Sequence, residues 1–193
     1  MRAAVAAERT EMAEVLAGLR AEQWDAATLC AGWRVREVVA HTTLPFRTSG
    51  GRVLFELVKA RGDFNRMADR RARADAGRMR AEEMLASLRS NIHHPWTPPG
   101  GGAQGALSHE VIHGLDITVG LGLERRPPAE RIGLVLEGLR PRNIKFFGAD
   151  LDGLELRATD LDWRFGSGKP VEGPAQDLLL LICGRRLPPG RLV

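Results

Sequence analysis

The sequence predicts a mainly α protein with a small α+β part: an antiparallel four-helix bundle over residues 1–125, followed by a small C-terminal α/β lobe over residues 126–193. Apolar residues recur at helical spacing through most of the first part of the chain. The stretch HHPWTPPGGG interrupts that pattern once and predicts a connection over 93–102. In the second part, the segment LELRAT alternates apolar and polar residues, which is typical of a half-buried strand.

The spacing of apolar residues predicts the helices of the bundle over 3–19, 34–43, 53–73, 78–91 and 103–120. Pro45 is expected to stop or kink the second helix, because proline lacks the N–H that an interior helical position needs. Gly50-Gly51 predicts a turn before the third, long and highly charged helix. Gly120 and Gly122 are good positions for the last helix of the bundle to end.

The C-terminal lobe is expected to contain a helix over 129–139, strands over 154–159 and 163–165, and a final helix over 175–184. Gly166, Gly168 and Pro170 predict a turn between the second strand and that helix. Pro174 fits the first turn of the final helix, where proline is tolerated. A piece of this size has little core of its own, so we expect the lobe to pack on the bundle.

Composition limits the classes of partner. The formal net charge is +4, and only three of the 28 basic residues are lysines. Aromatic residues make up 5% of the chain and tyrosine is absent, so the sequence predicts no nucleic-acid partner. No apolar run approaches the length of a membrane span, the N-terminus lacks the apolar region of a signal peptide, and the two cysteines lie far apart. We therefore expect a cytoplasmic protein with free thiols, no membrane partner, and a monomeric or homodimeric state.

Three histidines stand in a pattern that suits a metal. His109 and His113 are four residues apart on one predicted helix, so their imidazoles project from the same face. His41 lies at the end of the second helix, which a bundle would bring beside them. Three neutral imidazoles with a fourth position open are typical of a catalytic zinc-type site. Asp116, one turn beyond His113, is expected to accept an imidazole N–H and orient that ligand.

The same helix also matches H-E-x-x-H, the metallopeptidase motif in which Glu110 would be the general base. The extended form of that motif would need glycine where Asp116 stands and histidine where Val119 stands. A zinc peptidase or hydrolase therefore stays open as an alternative, with third ligands available at Glu124, Glu130 and Glu137. A metal-binding module without catalysis is the other alternative.

Longer segments resemble a known family. The segment WDAATLCAGWRVREVVAH, ending at His41, resembles the N-terminal signature of the DinB-like superfamily, specifically of the mycothiol-dependent maleylpyruvate isomerase family. The segment HEVIHGLDI, beginning at His109, resembles that family's E-x-x-x-H-G-W-D stretch. The segments LRATDLDWRFGSG and GPAQDLLLLICGR resemble its C-terminal part, so the resemblance covers nearly the whole chain.

The resemblance implies a DinB-like metal-binding bundle whose divalent metal, most typically zinc with nickel or iron as possibilities, is held by His41, His109 and His113. His109 stands where the isomerase subgroup has a ligating glutamate, which makes the site one unit more positive and a bound thiol more acidic. Leu115 replaces the subgroup's tryptophan, so the pocket lining differs. The implied cosubstrate is mycothiol or a similar low-molecular-weight thiol, which would act on a small electrophile by isomerisation or transfer.

If the substrate is a small dicarboxylate, arginines should hold it. Arg47 and Arg52 are the candidate catalytic residues of this kind, and Arg185 and Arg186 are further candidates by position. The sequence assigns no other cofactor-binding residue. Cys30 is expected to pack beneath the second helix rather than act as a nucleophile, and Trp33 to anchor the start of that helix.

Overall fold

The computed structural model describes the backbone of residues 1–193 and the side chains of residues 1–140 and 144–193. It is mainly helical, with one small sheet near the C-terminus. A short 3-10 helix, Ala21–Asp25, follows the first helix. The α-helices are α1 Arg2–Ala17, α2 Val35–Arg47, α3 Gly50–Lys59, α4 Phe64–Ala76, α5 Ala81–Arg89, α6 Gly102–Gly120, α7 Ala129–Glu137, α8 Pro141–Phe147 and α9 Ala175–Ile182. The strands are β1 Leu154–Ala158, β2 Arg164–Gly166 and β3 Lys169–Gly173.

The predicted fold class is confirmed. Helices α1, α2, α5 and α6 pack against one another as a bundle, and α4 covers the outside of α2. The lobe beyond it packs α9 against β1, α7 and α6. Among the described helices, none combines the length and apolar character that crossing a bilayer requires.

Helix α6 lies at the centre of the molecule. Its residues Leu107, Val111 and Leu115 belong to a buried cluster that also contains apolar residues of α7, α9 and β1. Its Ile117 belongs to a second cluster, which is made by α1, α2, α4 and α5. A helix that is apolar on nearly all sides is expected to be buried. Because α6 contributes to both clusters, the core runs across the predicted division at residues 125 and 126, and that division stays a prediction.

The small sheet has the strand order β2-β1-β3. Strand β1 pairs with β2 in antiparallel fashion and with β3 in parallel fashion, and Leu156 is opposite both Phe165 and Val171. The predicted turn over Gly166 to Pro170 is wrong in its second half, because Pro170 belongs to β3. Proline is tolerated there because β3 is an edge strand. Gly168, with φ of 127°, makes the turn instead.

The predicted long helix over 53–73 is also wrong, because the chain forms α3 and α4 with a break between them. Arg61 and Gly62 adopt φ values of 57° and 81°, and Gly62 N–H donates to the Leu57 carbonyl at 3.0 Å. Asp63 then caps α4, since its Oδ1 accepts from the Arg66 N–H at 2.9 Å. Gly50-Gly51 begins α3 rather than forming a turn. Helix α8 was not predicted.

Of the two effects expected of Pro45, a stop or a kink, the stop is wrong, because Pro45 lies inside α2, which continues to Arg47. Side-chain donors bind the backbone carbonyls in the turn around the proline. Arg47 Nη2 donates to the Ala40 carbonyl at 3.0 Å, and Thr43 Oγ1 donates to the Val39 carbonyl at 2.7 Å. These bonds stabilise the last turn of α2, which follows directly after His41.

Candidate metal centre

His41 is held in place by the packing of α2. Val35, Val38 and Val39 of this helix are buried in the bundle. Before the first turn, the Arg34 N–H donates to Glu37 Oε2 at 2.9 Å, an arrangement that satisfies one of the free donors at a helix start. The apolar stripe therefore fixes the rotation of α2, and with it the side from which His41 projects.

His109 and His113 lie on α6, one turn apart. Their helix is buried on most of its circumference, and both imidazole side chains are 14% exposed. This small exposed fraction means that the pair sits at the boundary between the core and an opening. The i, i+4 spacing does what the sequence predicts and presents both rings on one face.

The three imidazoles converge. His41 Nε2 and His109 Nε2 are 3.1 Å apart. The ring centroid of His41 lies 5.0 Å from that of His109 and 5.0 Å from that of His113, and the centroids of His109 and His113 are 4.9 Å apart. One nitrogen from each ring lies within 4.8 Å of the others, which makes this group a possible metal-binding cluster.

Asp116 contacts His113 as the spacing predicts. Its Oδ2 lies 3.0 Å from His113 Nδ1, which leaves Nε2 of that ring for a metal. The Asp116 side chain is fully buried and is bound by Arg185 from beyond α9. Arg185 Nε donates to Oδ1 at 2.9 Å and Nη2 donates to Oδ2 at 2.8 Å. The C-terminal lobe thus supplies the group that fixes this carboxylate.

His41 and His109 are positioned differently. The Nδ1 atoms of both rings are buried and have no hydrogen-bond partner among the described residues. Glu110 Oε1 lies 4.0 Å from His109 Nδ1, beyond hydrogen-bond distance. Indole rings pack beside both imidazoles: the Trp33 ring centroid is 5.1 Å from that of His41, and the Trp96 ring centroid is 5.2 Å from that of His109. Trp33 is itself fixed by its Nε1–H, which donates to Asp69 Oδ1 of α4 at 2.8 Å.

The electrostatic surroundings of His41 and His113 favour their neutral forms. Burial lowers the pKa of His41 well below its ordinary value, and the neighbouring His113 and His109 lower it further. Burial also lowers the pKa of His113, although the bond to Asp116 opposes this. Burial raises the pKa of Asp116, but the bonds from Arg185 and His113 lower it by more, so the carboxylate is charged. Unprotonated imidazoles beside a carboxylate are what a divalent metal requires.

A tetrahedral zinc with Zn–N bonds of about 2.0–2.1 Å holds two ligand nitrogens about 3.3 Å apart. The 3.1 Å between His41 Nε2 and His109 Nε2 is close to that value. The donor set therefore suits a divalent metal such as zinc. It also suits a site with an open position, because three protein ligands converge among the described side chains.

A cleft of about 560 Å³ opens beside the histidine pair, between α6 and the C-terminal lobe. His109, His113 and Arg185 form part of its wall. Pro98, Ile112, Leu139 and Phe147 give the cleft apolar surface. Its size and lining are typical of a site for a small organic molecule.

The structure places the other candidate residues as follows. Arg47 is bound to the protein itself, since its Nη1 donates to Asp75 Oδ2 at 2.9 Å. Arg52 is exposed on α3. Glu110 points to α1, where its Oε1 accepts from Arg9 Nε at 2.9 Å with both side chains buried. Cys30 is partly buried and lies with His113 and Asp116 in a second possible metal-binding group.

The Cys30 thiol is neutral in these surroundings, because burial and the Asp116 carboxylate raise its pKa to about 11. This agrees with the interpretation of Cys30 as a packing residue rather than a nucleophile. Sequence reasoning did not identify the roles of Trp96 or of Arg185 as the partner of Asp116. The Arg185–Asp116 contact joins positions that no local sequence pattern connects. Trp96 could have been suspected, because it is an aromatic residue in the connection before the helix that carries two of the histidines.

Comparisons with known proteins agree with these observations. A sequence model of a family described as the mycothiol maleylpyruvate isomerase N-terminal domain matches residues 5–117. That range contains all three histidines and Asp116, and it ends near the end of α6. No curated protein sequence matches the chain.

Two solved structures are similar to this chain. The crystal structure of the mycothiol-dependent maleylpyruvate isomerase has a TM-score of 0.55 and 11% sequence identity, and the match covers 96% of this chain and 88% of that chain. The crystal structure of a histidine-to-alanine mutant of that isomerase has a TM-score of 0.48 and 12% identity, with the same coverage. At this identity, the first likeness shows a shared fold, in which a helical bundle precedes a small α/β lobe.

Proposed function

Because the chain belongs to the mycothiol maleylpyruvate isomerase N-terminal domain family, we propose that it is a metal-dependent enzyme that uses a low-molecular-weight thiol on a small electrophile. The observation that carries this proposal is the convergence of His41, His109 and His113 within 4.8 Å. The adjoining cleft of about 560 Å³ gives the thiol and the electrophile a place to meet.

His41, His109 and His113 would hold the metal through one nitrogen each. When bound, a divalent metal lowers the pKa of a thiol at its open position, so that a thiolate nucleophile exists at neutral pH. Asp116 keeps Nε2 of His113 directed at the site, since it accepts the Nδ1 proton. Arg185 holds Asp116 in its charged form with two hydrogen bonds.

Two reactions are compatible with this arrangement. In isomerisation, the thiolate sulfur bonds to one carbon of an activated double bond, the remaining carbon–carbon single bond rotates, and the carbon–sulfur bond breaks to return the thiolate. In transfer, the adduct takes up a proton and the sulfur stays attached, so one thiol is consumed for each product. The name of the similar solved structure favours isomerisation, with mycothiol as the thiol and maleylpyruvate as the substrate.

The direct test is an assay of the zinc-loaded protein with maleylpyruvate, in the presence of mycothiol, of glutathione and of no thiol. We expect turnover only with a thiol and no net thiol consumption. Stoichiometric loss of thiol would identify a transferase instead. Bound zinc without turnover of maleylpyruvate or of a panel of alkene and epoxide electrophiles would favour a non-catalytic metal-binding module.

A peptidase is disfavoured by the position of Glu110. A general base should stand beside the open position of the metal, whereas this carboxylate is paired with Arg9 inside the bundle. In a peptidase of this motif His41 would not be a ligand, and His41→Ala would leave zinc binding unchanged. In the proposed three-histidine site His41 is a ligand, so we expect His41→Ala to weaken zinc binding at least about tenfold. The matched control is His93→Ala, which changes an exposed histidine of the connection and should leave zinc affinity unchanged.

A further inference from the structure

Helix α3 presents large apolar side chains to solvent. Leu54, Phe55 and Val58 are 62%, 60% and 69% exposed, and none of the residues of this helix is buried. Phe64, at the start of α4, is also exposed. Single exposed apolar residues are ordinary on protein surfaces, but several on one helix face mark an interaction site.

The exposed side chains form two adjacent rows. Leu54 and Val58 are one turn apart, and Arg52, Phe55 and Lys59 follow the next row of the helix. The Lys59 ammonium lies 5.4 Å from the centroid of the Phe55 ring, so cationic and apolar groups stand side by side. We name these five residues the α3 face.

The charge around the α3 face is positive. Arg61 and Arg66 are exposed just beyond it. Glu56, the carboxylate of α3, is turned towards α4, where it pairs with Arg70. The exposed Asp63 accepts the Arg66 N–H as the cap of α4. A second copy of this chain that docked face to face would bring these cations against each other, which disfavours a symmetric dimer.

The composition of the segment distinguishes a lipid surface from an acidic protein. Residues 50–62 contain no serine, threonine, asparagine, glutamine, histidine, tyrosine or tryptophan. The segment therefore lacks the neutral polar side chains that could both donate and accept directional hydrogen bonds to a protein partner. A helix that lies in a bilayer interface needs only an apolar face and flanking cations.

We propose that the α3 face docks the protein onto the surface of a bilayer that contains anionic lipids. Leu54, Phe55 and Val58 would enter the boundary between headgroups and acyl chains, and Arg52 and Lys59 would lie at the level of the phosphates. This is peripheral binding, and it differs from the expectation of no membrane partner, which rests on the lack of a spanning segment.

The test is co-flotation of the full chain with vesicles of phosphatidylcholine alone and of phosphatidylcholine with an equal share of phosphatidylglycerol. We expect binding to the anionic vesicles to be stronger on the order of tenfold and to weaken as salt is added. Phe55→Gln with Val58→Gln should abolish the binding. Phe146→Gln, which changes an exposed phenylalanine of α8, is the matched control and should bind like the original chain.

A second pair of variants tests the charge. Lys59→Gln with Arg61→Gln should weaken binding to anionic vesicles on the order of tenfold, whereas Arg20→Gln should not. Binding to neither vesicle, or equal binding by the Phe55→Gln, Val58→Gln variant, would overturn the proposal. The same holds if sedimentation shows a dimer that this variant dissociates, because the face would then bind a second copy.

Discussion

Helices α6 and α3 both carry apolar residues at helical spacing, but their surroundings are opposite. Leu115 of α6 is fully buried, while Leu54 of α3 is 62% exposed. Helix α6 packs against α1, α2, α7 and α9, and it carries two of the three converging histidines. Helix α3 packs against α4 and leaves its apolar face in solvent. Apolar spacing therefore predicts a helix in both places, but the partner of the apolar face depends on the tertiary structure.

The same substitution in the two helices should give the largest contrast in stability. Leu115→Ala removes a side chain from a filled core and should lower the free energy of unfolding by about 3 kcal/mol. Leu54→Ala should change it by less than about 0.5 kcal/mol, because the side chain is already hydrated. Urea unfolding of both variants measures the difference, and equal costs would mean that the burial of α3 and α6 is misassigned.

Each of these two helices also has one carboxylate that pairs with an arginine of another helix. Glu110→Gln would leave the buried Arg9 without its counter-charge and should cost about 3 kcal/mol. Glu56→Gln breaks the more exposed pair with Arg70 and should cost less than about 1 kcal/mol. Thermal unfolding compares the two variants. A larger loss for Glu56→Gln would contradict the assignment of Glu110 to a structural ion pair.

A third contrast lies within the candidate metal centre. Asp116→Asn weakens the acceptor that fixes His113 and should reduce zinc affinity about tenfold or more, as outer-sphere changes do. Asp69→Asn, which changes the partner of Trp33, should have a smaller effect, because Trp33 contacts His41 only by packing. Competition with a zinc chelator measures both, and unchanged affinity for Asp116→Asn would remove that residue from the centre.

The smallest expected effect is on the stability of the protein at acid pH. The pKa of Glu11 is lowered mainly because Arg131 donates hydrogen bonds to its carboxylate. A lowered folded-state pKa stabilises the protein above the ordinary carboxyl pKa, and this stabilisation is lost as the pH falls through the lowered value. Because Glu11 is partly exposed, we expect Glu11→Gln to lower the free energy of unfolding only slightly at neutral pH. In acid, the free energy of unfolding of the variant should depend less on pH than that of the original protein. Urea unfolding measures this dependence. The same pH dependence in the original protein and in Glu11→Gln would argue against the Glu11–Arg131 ion pair between α1 and α7.

The positions of most helices could be predicted from the sequence, whereas helix boundaries and strand pairing were harder to predict. Val111 and Leu115 follow a helical period, so α6 was predicted almost to its boundaries. The break between α3 and α4 was missed, although Gly62 and Asp63 are a residue pair that ends one helix and caps the next. Strand β3 was missed because Pro170 is compatible with a strand only at a sheet edge, and the edge is set by pairing with β1.

In the candidate metal centre, too, local features could be predicted from the sequence more readily than long-range contacts. The i, i+4 spacing of His109 and His113 and the i, i+3 step to Asp116 are local, so the sequence could predict their common face. Predicting that His41 lies beside the other two histidines was less direct, because it depended on assuming a bundle that brings two separated segments together. The contact of Arg185 with Asp116 joins the C-terminal lobe to α6, and 25 arginines offered no local reason to select it.

The central claim is that one divalent metal lies between α2 and α6. The most direct measurement is a crystal structure of the zinc-loaded protein, in which anomalous scattering locates the ion, combined with zinc analysis of His41→Ala. We expect one ion per chain, bound by His41, His109 and His113, and a loss of zinc in the variant. An ion elsewhere, no ion under zinc-replete conditions, or equal zinc in His41→Ala would contradict the account.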